Sequence, residues 1–436
     1  MAGTAAYLAL MDYSYVHDLS VRYGYMGFRN DSSASPEAVT TAWLLALLPA
    51  TWLPLRLERP SRLFTLVLYV SVYGPALVLS ARTGVDLQGG VLGLGAQLLA
   101  CLLVVDLIGR LPRTSLRPGP GLEVRAVRVV VGLLFVLALY GMVVSRFGIP
   151  SRLPRLTEAY DARAAMKAEV IHGGRLVVYA TMWLGNAVNP LLILVGLIRR
   201  RPLPVVLGVV GQFYLFSLGG MKSFLGALIL VPVTYWLSDP ERDDATLAGF
   251  SWVLAGVAAS AAFLSSTAVG SVCAYVVRRG LVVPGMLTGY YLEFFGDNPK
   301  AMLSHSVLAR FVPRNYEMAP ADLIGNLYTA GSHSNANVWA DGFANFGFGG
   351  MLAASALLGA VGYVTDAGAP TGIRRRMAVA LMVMPAIAVG NSAVLTSLLT
   401  HGIGLVVLIV WLLPEAWEES GSEGARRALR EAAGGE

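Results

Sequence analysis

LVVYATMWLGNAVNPLLILVGLIRRR (176–201) decides the class of fold. From Leu176 to Ile198 no side chain is charged, and a helix of that length runs about 35 Å, enough to cross a hydrocarbon core of about 30 Å. Three arginines then stop it. Similar apolar runs lie on both sides, and together they give eleven expected spans: 37–55, 63–80, 90–108, 129–145, 176–198, 202–218, 222–238, 247–271, 346–364, 377–393 and 395–414. The pair 202–218 and 222–238 reads as a tight hairpin or a partly re-entrant pair. Composition agrees: of 436 residues, 56% are hydrophobic and only 14% charged, against about a quarter charged in soluble proteins. A soluble globular enzyme, a disordered chain and a fibrous one are excluded. The expected class is an all-α polytopic membrane protein, one integral domain over 1–436 without a soluble domain or repeat.

Basic residues set the expected orientation. Arg56, Arg59 and Arg62, then Arg110, Arg113, Arg117, Arg125 and Arg128, then Arg199, Arg200 and Arg201, Arg242, and Arg374, Arg375 and Arg376 occupy short connections on one side. Short arginine-rich loops stay cytoplasmic. This places the N-terminus outside and the tail 415–436 inside. The N-terminus lacks the basic start of a signal peptide, and Asp12, His17, Asp18 and Arg22 interrupt any apolar run there. Two long loops, 146–175 and 272–345, then face outward with His17, His172, His305 and His333. His401 falls in the outer half of the last span, and Lys167, Lys222 and Lys300 lie at the outer face. Chemistry, if the chain performs any, belongs on that face.

Loop 146–175 carries Arg146, Arg152, Arg155, Arg163, Lys167 and Arg175 against Glu158, Asp161 and Glu169. It reads either as an electropositive platform for a lipid-linked phosphate or as an amphipathic helix resting on headgroups. Loop 272–345 combines Arg278, Arg279, Arg310, His305, Asp322, His333 and Asp341 with the aromatics Tyr290, Tyr291, Phe294 and Phe295. Asn335, Asn337, Asp341 and Asn345 recur at a spacing that lets several share one helix face at the mouth of a span. Polar groups there are costly against lipid, so a protein cavity is expected. The blander reading makes Ser332, Ser334 or Asn335 a helix cap and the rest solvated. Asn186 and Asn189, before Pro190, read as interhelical hydrogen-bonders, and Asp106 as a helix ion pair with Arg110. GGVLGLG (89–95) reads as helix packing, not a dinucleotide site. With only Cys101 and Cys273, no disulfide scaffold or Cys-rich metal site is expected.

RRGLVVPG (278–285), YYLEFFGDNPKAMLSHS (290–306), NANVWADGFANFGFGG (335–350) and SLGGMKSFLGALI (217–229) resemble segments of the bacterial oligosaccharide repeat-unit polymerases, the Wzy-type O-antigen and exopolysaccharide polymerases; YGYMGFRND (23–31) matches more weakly. The resemblance implies a GT-C-like membrane glycosyltransferase at the outer face of the bacterial cytoplasmic membrane. It would join oligosaccharide units carried on undecaprenyl pyrophosphate, with the pyrophosphate as leaving group and without metal, nucleotide sugar or other cofactor. A chain-length regulator or a flippase would be a partner, and nucleic acid would not. Arg279 matches the family's arginine before Val-Pro-Gly. Arg279, Arg278, Arg310 and Lys222 are then candidates to stabilise the pyrophosphate. His305, His333 and Asp341 are candidates to take the acceptor's proton, His305 first. Tyr290, Tyr291, Trp339, Asn335 and Asn337 are candidates to hold sugar. A ligase moving a finished glycan to another acceptor, or a transporter or flippase of lipid-linked sugars, are the alternatives; the latter would place polar residues through the full membrane depth.

Overall fold

The computed structural model describes residues 1–31, 33–53, 56–112, 125–150, 152, 174–240, 246–264, 266–306 and 308–413. Its described residues form helices and no strand. Six helices are long and apolar enough to cross a membrane: Pro60–Thr83, Gly90–Arg110, Val130–Phe147, Leu176–Ile198, Pro202–Gly219 and Val338–Gly368. A seventh candidate is the pair Gly249–Phe263 and Ala268–Asp297, bent by 119°. The chain is thus a polytopic helical membrane protein. Other expected spans are shorter helices: Pro36–Leu47, Lys222–Leu237 with Pro232 inside it, and Gly372–Ala388. The stretch 395–414 is broken into Val394–Leu399 and Ile403–Leu412, with Gly402 at φ 93° between them. The loops 113–124 and 153–173 and the tail from 414 lie outside the described residues, and with them most of the expected platform 146–175.

One end of the bundle gathers the arginines. Asp366, near the end of Val338–Gly368, accepts from the Ser61 amide at 3.1 Å and the Ser61 hydroxyl at 2.6 Å, capping the start of Pro60–Thr83. Beside it Arg374 donates to the Gly368 carbonyl at 2.9 Å, and Arg376 pairs with Asp239 at 3.1 Å. The Asp106–Arg110 pair is present at 2.7 Å.

Two findings depart from the sequence reading. The first concerns the N-terminus. Residues 2–23 form a continuous helical rod lying along Pro60–Thr83 in the same direction. The Tyr7 hydroxyl donates to the Val70 carbonyl, and the middle of the rod is tied where Arg82, in the last turn of Pro60–Thr83, grips Asp12 through two hydrogen bonds of 3.0 and 2.8 Å. Ala2 therefore points toward the arginine-rich end, not the opposite one. The charged residues that break the apolar pattern are accommodated individually: Asp12 by Arg82, and Asp18 by Arg22 one turn on at 2.8 Å.

The second departure is that 272–297, expected within a partly helical outer loop, is helix throughout and from Leu281 onward packs in the core. Gly285 rests against Pro75 and Ala76 and Gly289 against Ser80, while Glu293 accepts from the Asp86 amide at 2.8 Å. A Cβ on Gly285 would sit 2.6 Å from the Pro75 backbone. Such close approach through small residues is how helices gain van der Waals contact where lipid offers no hydrophobic drive. The two core asparagines behave as read: Asn186 donates to the His401 carbonyl at 3.1 Å, and Asn189 accepts from the Tyr140 hydroxyl at 2.6 Å.

Candidate functional site

The long helix Val338–Gly368 is two arms. Its backbone breaks at Phe346 and Gly347, the latter at φ 61° and ψ −149°, a region open only to glycine. The short arm 338–345 then folds back on the long one. Gly342 touches Gly350, and the Trp339 indole N–H donates to Ser355 Oγ at 2.8 Å. Asn337 starts the short arm: its Oδ1 accepts from the Trp339 and Ala340 amides at 3.0 Å each, an N-cap. Its Nδ2 donates to Thr288 Oγ1 at 2.7 Å and the Pro284 carbonyl at 3.2 Å. The cap thereby ties the arm to helix Ala268–Asp297.

The arm forms one wall of a cavity of about 330 Å³ at the end of the bundle opposite the arginines. Asp341 and Asn345 face it from the arm, Tyr291 from Ala268–Asp297, His305 and His333 with Asn335 from the connection 298–337. Tyr179 near the start of Leu176–Ile198, and Ser392, Thr396 and Thr400 around the broken last span, complete the polar lining. The three candidate proton acceptors, scattered over 37 positions of sequence, thus meet in one place.

Each is held differently. His333 Nδ1 lies 2.5 Å from Asp322 Oδ1. A carboxylate only accepts, so it selects the tautomer with the proton on Nδ1 and leaves the Nε2 lone pair available. Asp322 belongs to the first turn of Pro320–Tyr328, a helix docked where the Ser334 amide donates to the Ala321 carbonyl at 3.0 Å. Asp341 receives Asn345 Nδ2 at 3.2 Å, its side-chain partner among the described residues. Asn345 Oδ1 in turn accepts from the Leu303 amide at 2.7 Å, so the arm also pins the loop that carries His305. That loop turns through Met302 at φ 52° and Leu303 at φ 60°, a left-handed pair costing about 1–2 kcal/mol per residue. His305 itself has Nδ1 3.1 Å from Ser304 Oγ and Nε2 3.5 Å from the Glu317 carbonyl, the latter at the limit of a hydrogen bond.

The candidate sugar binders divide. Asn335 is exposed in the cavity wall, and Tyr291, 1% exposed, lines it while its hydroxyl donates to the Ser334 carbonyl at 2.8 Å. Trp339 and Asn337 are fully buried and act as strut and cap. Tyr290 is buried too: it stacks on Tyr328 at 4.7 Å between centroids and bonds the Gly27 carbonyl. None of these three offers a face to a sugar. The cation candidates do not line the cavity either. Arg278 stacks on Tyr23 at 4.3 Å, and Lys222 Nζ sits 4.3 Å above Tyr275, one helical turn before Arg279. Arg279 and Arg310 are exposed. Lys222, Arg278 and Arg279 therefore form a group of their own along the first half of Ala268–Asp297.

Behind the short arm lies a second cavity of about 250 Å³, lined by Gln88, Gln97, Lys300, Phe343 and Phe348 among others. Lys300 is 4.5 Å from the centre of the Phe343 ring and donates to the Phe295 carbonyl. Burial lowers the pKa of its ammonium group, with Asp297 working against the shift. Among the described residues no group of three His, Cys, Asp or Glu side chains is arranged to hold a metal ion. No protein-family model, curated protein or solved structure matches the chain.

Proposed function

We propose that the chain is a membrane glycosyltransferase that polymerises oligosaccharide units carried on a lipid pyrophosphate, working in the cavity beside the 338–345 arm. The observation that carries this reading is the convergence of His333 with its Asp322 partner, Asp341 and His305 on one polar cavity at the end away from the arginines. With the arginine-rich end in the cytoplasm, the cavity opens to the outer side of a bacterial cytoplasmic membrane, and eleven spans with a GT-C-like arrangement belong to the same proposal. In this reading Met1 starts on the cytoplasmic side, and the rod 2–23 is a further crossing ahead of the eleven expected spans.

The reaction needs few parts. A hydroxyl at the non-reducing end of the acceptor attacks the anomeric carbon of the donor. The new C–O bond forms as the bond from that carbon to the pyrophosphate oxygen breaks, and the electron pair leaves on the lipid pyrophosphate. The hydroxyl proton passes to the base. Among the imidazoles, His333 is better placed than His305, because a carboxylate fixes its tautomer and orientation; Asp341 is the second acceptor within the same cavity. Asn335, Asn345, Thr396 and Thr400 supply donors and acceptors to sugar hydroxyls.

The test uses purified full-length protein with lipid-linked repeat units, product length being read on a gel. His333→Ala and Asp341→Asn, at matched folded amounts, lower turnover by roughly 10²–10⁴ for whichever is the base. A ladder of products supports polymerisation, whereas transfer to a different acceptor without a ladder points to a ligase, and transbilayer movement of uncoupled substrate points to a flippase. If His333→Ala, Asp341→Asn and His305→Ala all polymerise within a few-fold of wild type, the cavity is not the active site.

A further inference from the structure

At the arginine-rich end, far from the candidate active site, a cavity of about 290 Å³ is lined by Trp52, Arg59, Ser61, Arg62, Thr65, Asp106, Gly109 and Arg110. That is several times the roughly 30 Å³ a water molecule occupies. The charges around it are unevenly matched. Arg110 is paired with Asp106 at 2.7 Å and Arg62 with Glu58 at 2.9 Å, while the Asp366 carboxylate nearby is engaged in capping Ser61. Arg59 has no carboxylate partner among the described residues; its NH1 reaches only the Gly109 carbonyl, at 3.3 Å. Among the described residues its Nε–H is buried with no acceptor, and so is the indole N–H of Trp52. Leaving a buried donor unmet costs free energy, more so on a charged group, so two such donors in one cavity signal a missing acceptor. The three guanidinium groups are also close enough to interact, Arg59 and Arg110 both repelling Arg62. A ligand that relieves this must be anionic and rich in oxygen acceptors.

We propose that this cavity binds a phosphate group, and specifically the phosphodiester of an anionic lipid headgroup at the cytoplasmic membrane surface. Arg59 Nε–H and Trp52 Nε1–H would donate to its non-bridging oxygens, with Arg62 and Arg110 supplying field. A tryptophan beside arginines at a helix end is the pairing that suits a headgroup region, where one side of the site is apolar and the other charged. The binding is independent of the glycosyl transfer proposed above.

The experiment measures binding to the full-length protein in neutral detergent by native mass spectrometry. The probes are short-chain phosphatidylglycerol, short-chain phosphatidylcholine and inorganic phosphate. Phosphatidylglycerol binds saturably and better than phosphatidylcholine. Arg59→Gln weakens it at least roughly tenfold by removing charge-assisted bonds. Trp52→Phe, which keeps the ring and deletes only the N–H, weakens it several-fold, and its mildness makes it decisive should Arg59→Gln fold poorly. Arg201→Gln, on another loop rich in arginine, leaves it unchanged. Binding of inorganic phosphate with the same dependence on Arg59 and Trp52 supports the phosphate site and assigns it to soluble anions. Absence of saturable binding by either probe, or equal loss in Arg201→Gln as from general charge reduction, overturns the proposal, as does wild-type affinity in Trp52→Phe together with wild-type affinity in a folded Arg59→Gln.

Discussion

The fold-back of 338–345 on the long arm depends on Gly347 at the turn and on Gly342 and Gly350 where the arms touch, and Gly350→Ala tests it. A Cβ at position 350 would lie 2.0 Å from the Gly342 carbonyl oxygen, whereas real Cβ atoms essentially never come within 3.0 Å of such an atom. The obstacle is backbone, so no side chain can swing away; the arms must part by about 1 Å. Overpacking of this kind costs about 1–3 kcal/mol. If the movement also separates Trp339 Nε1 from Ser355, at 2.8 Å, the stranded buried N–H adds about 1–3 kcal/mol. Gly349→Ala is the internal control, because a Cβ there meets nothing within 4 Å and replaces a poor helix former by a good one. It should stabilise by up to about 1 kcal/mol. Hydrogen exchange read by mass spectrometry, together with the unfolding temperature in detergent, gives the comparison. In Gly350→Ala the amides of 338–345 lose protection and Tm falls; in Gly349→Ala neither happens. Through Asp341 and the Asn345–Leu303 bond the same displacement should lower turnover by about 10²-fold, the scale of a 1 Å misplacement. Equal protection and equal Tm in the two variants would refute the hairpin geometry, whatever the activity.

Asp322→Asn should keep His333 in place but let the imidazole adopt the wrong tautomer, lowering kcat well below wild type with little change in KM; wild-type kcat would remove the dyad from the mechanism. Asp12→Ala leaves the Arg82 guanidinium without its bidentate partner. The pair is half-buried, so the loss is about 1–3 kcal/mol, below that of a fully buried pair, read as a lower Tm; an unchanged Tm would mean the 2–23 rod is not anchored there. A cysteine at position 2 should be labelled from the same side of the membrane as one at position 375, and labelling from opposite sides would contradict the parallel packing of 2–23 with Pro60–Thr83. Arg279→Ala should raise KM for the lipid-linked acceptor more than it lowers kcat, with Arg279→Lys restoring less than full affinity because an ammonium lacks the guanidinium fork; a pure kcat defect would place Arg279 at the leaving group instead.

Helices were legible wherever a span is uniformly apolar, as at 176–198, because composition alone fixes its solvent. They were illegible where tertiary contacts override composition. The rod 2–23 carries Asp12 and Asp18, which no hydropathy count forgives; only the partner Arg82, 70 positions away, makes the first tolerable. The stretch 278–297 reads as a partly helical piece of an outer loop because it holds two arginines and four aromatics, yet its small residues Gly285 and Gly289 are what let it enter the core. The site shows the same division. Asn337 and Asp341 share a motif, and sequence spacing cannot tell that one looks inward as a cap while the other looks into a cavity. Asp322 stands in the sequence only as one charge of the loop 272–345, and the structure puts it in the first turn of the helix that Pro320 opens. Its pairing with His333 across 11 positions follows from the docking of a short helix and has no local signal.

The placement of the cations bears on what each could do in glycosyl transfer. Arg279 and Tyr291 lie on one helix, 12 residues apart, so about 18 Å of axis separates the arginine from a residue in the cavity wall. The proton acceptor and the donor's pyrophosphate must both lie within a few ångströms of the same anomeric carbon, since one bond forms there as the other breaks. A guanidinium at that distance cannot neutralise the donor's leaving group. The acceptor presents a different geometry: its attacking hydroxyl is at the non-reducing end, and its own lipid pyrophosphate is at the other end of an oligosaccharide. A group made of Lys222, Arg278 and Arg279 outside the cavity suits that second pyrophosphate. It would hold the membrane end of the acceptor while the sugar chain reaches His333 and Asp341. In the proposed reaction Lys222, Arg278 and Arg279, which the sequence groups around the leaving group, would instead serve the acceptor's lipid carrier.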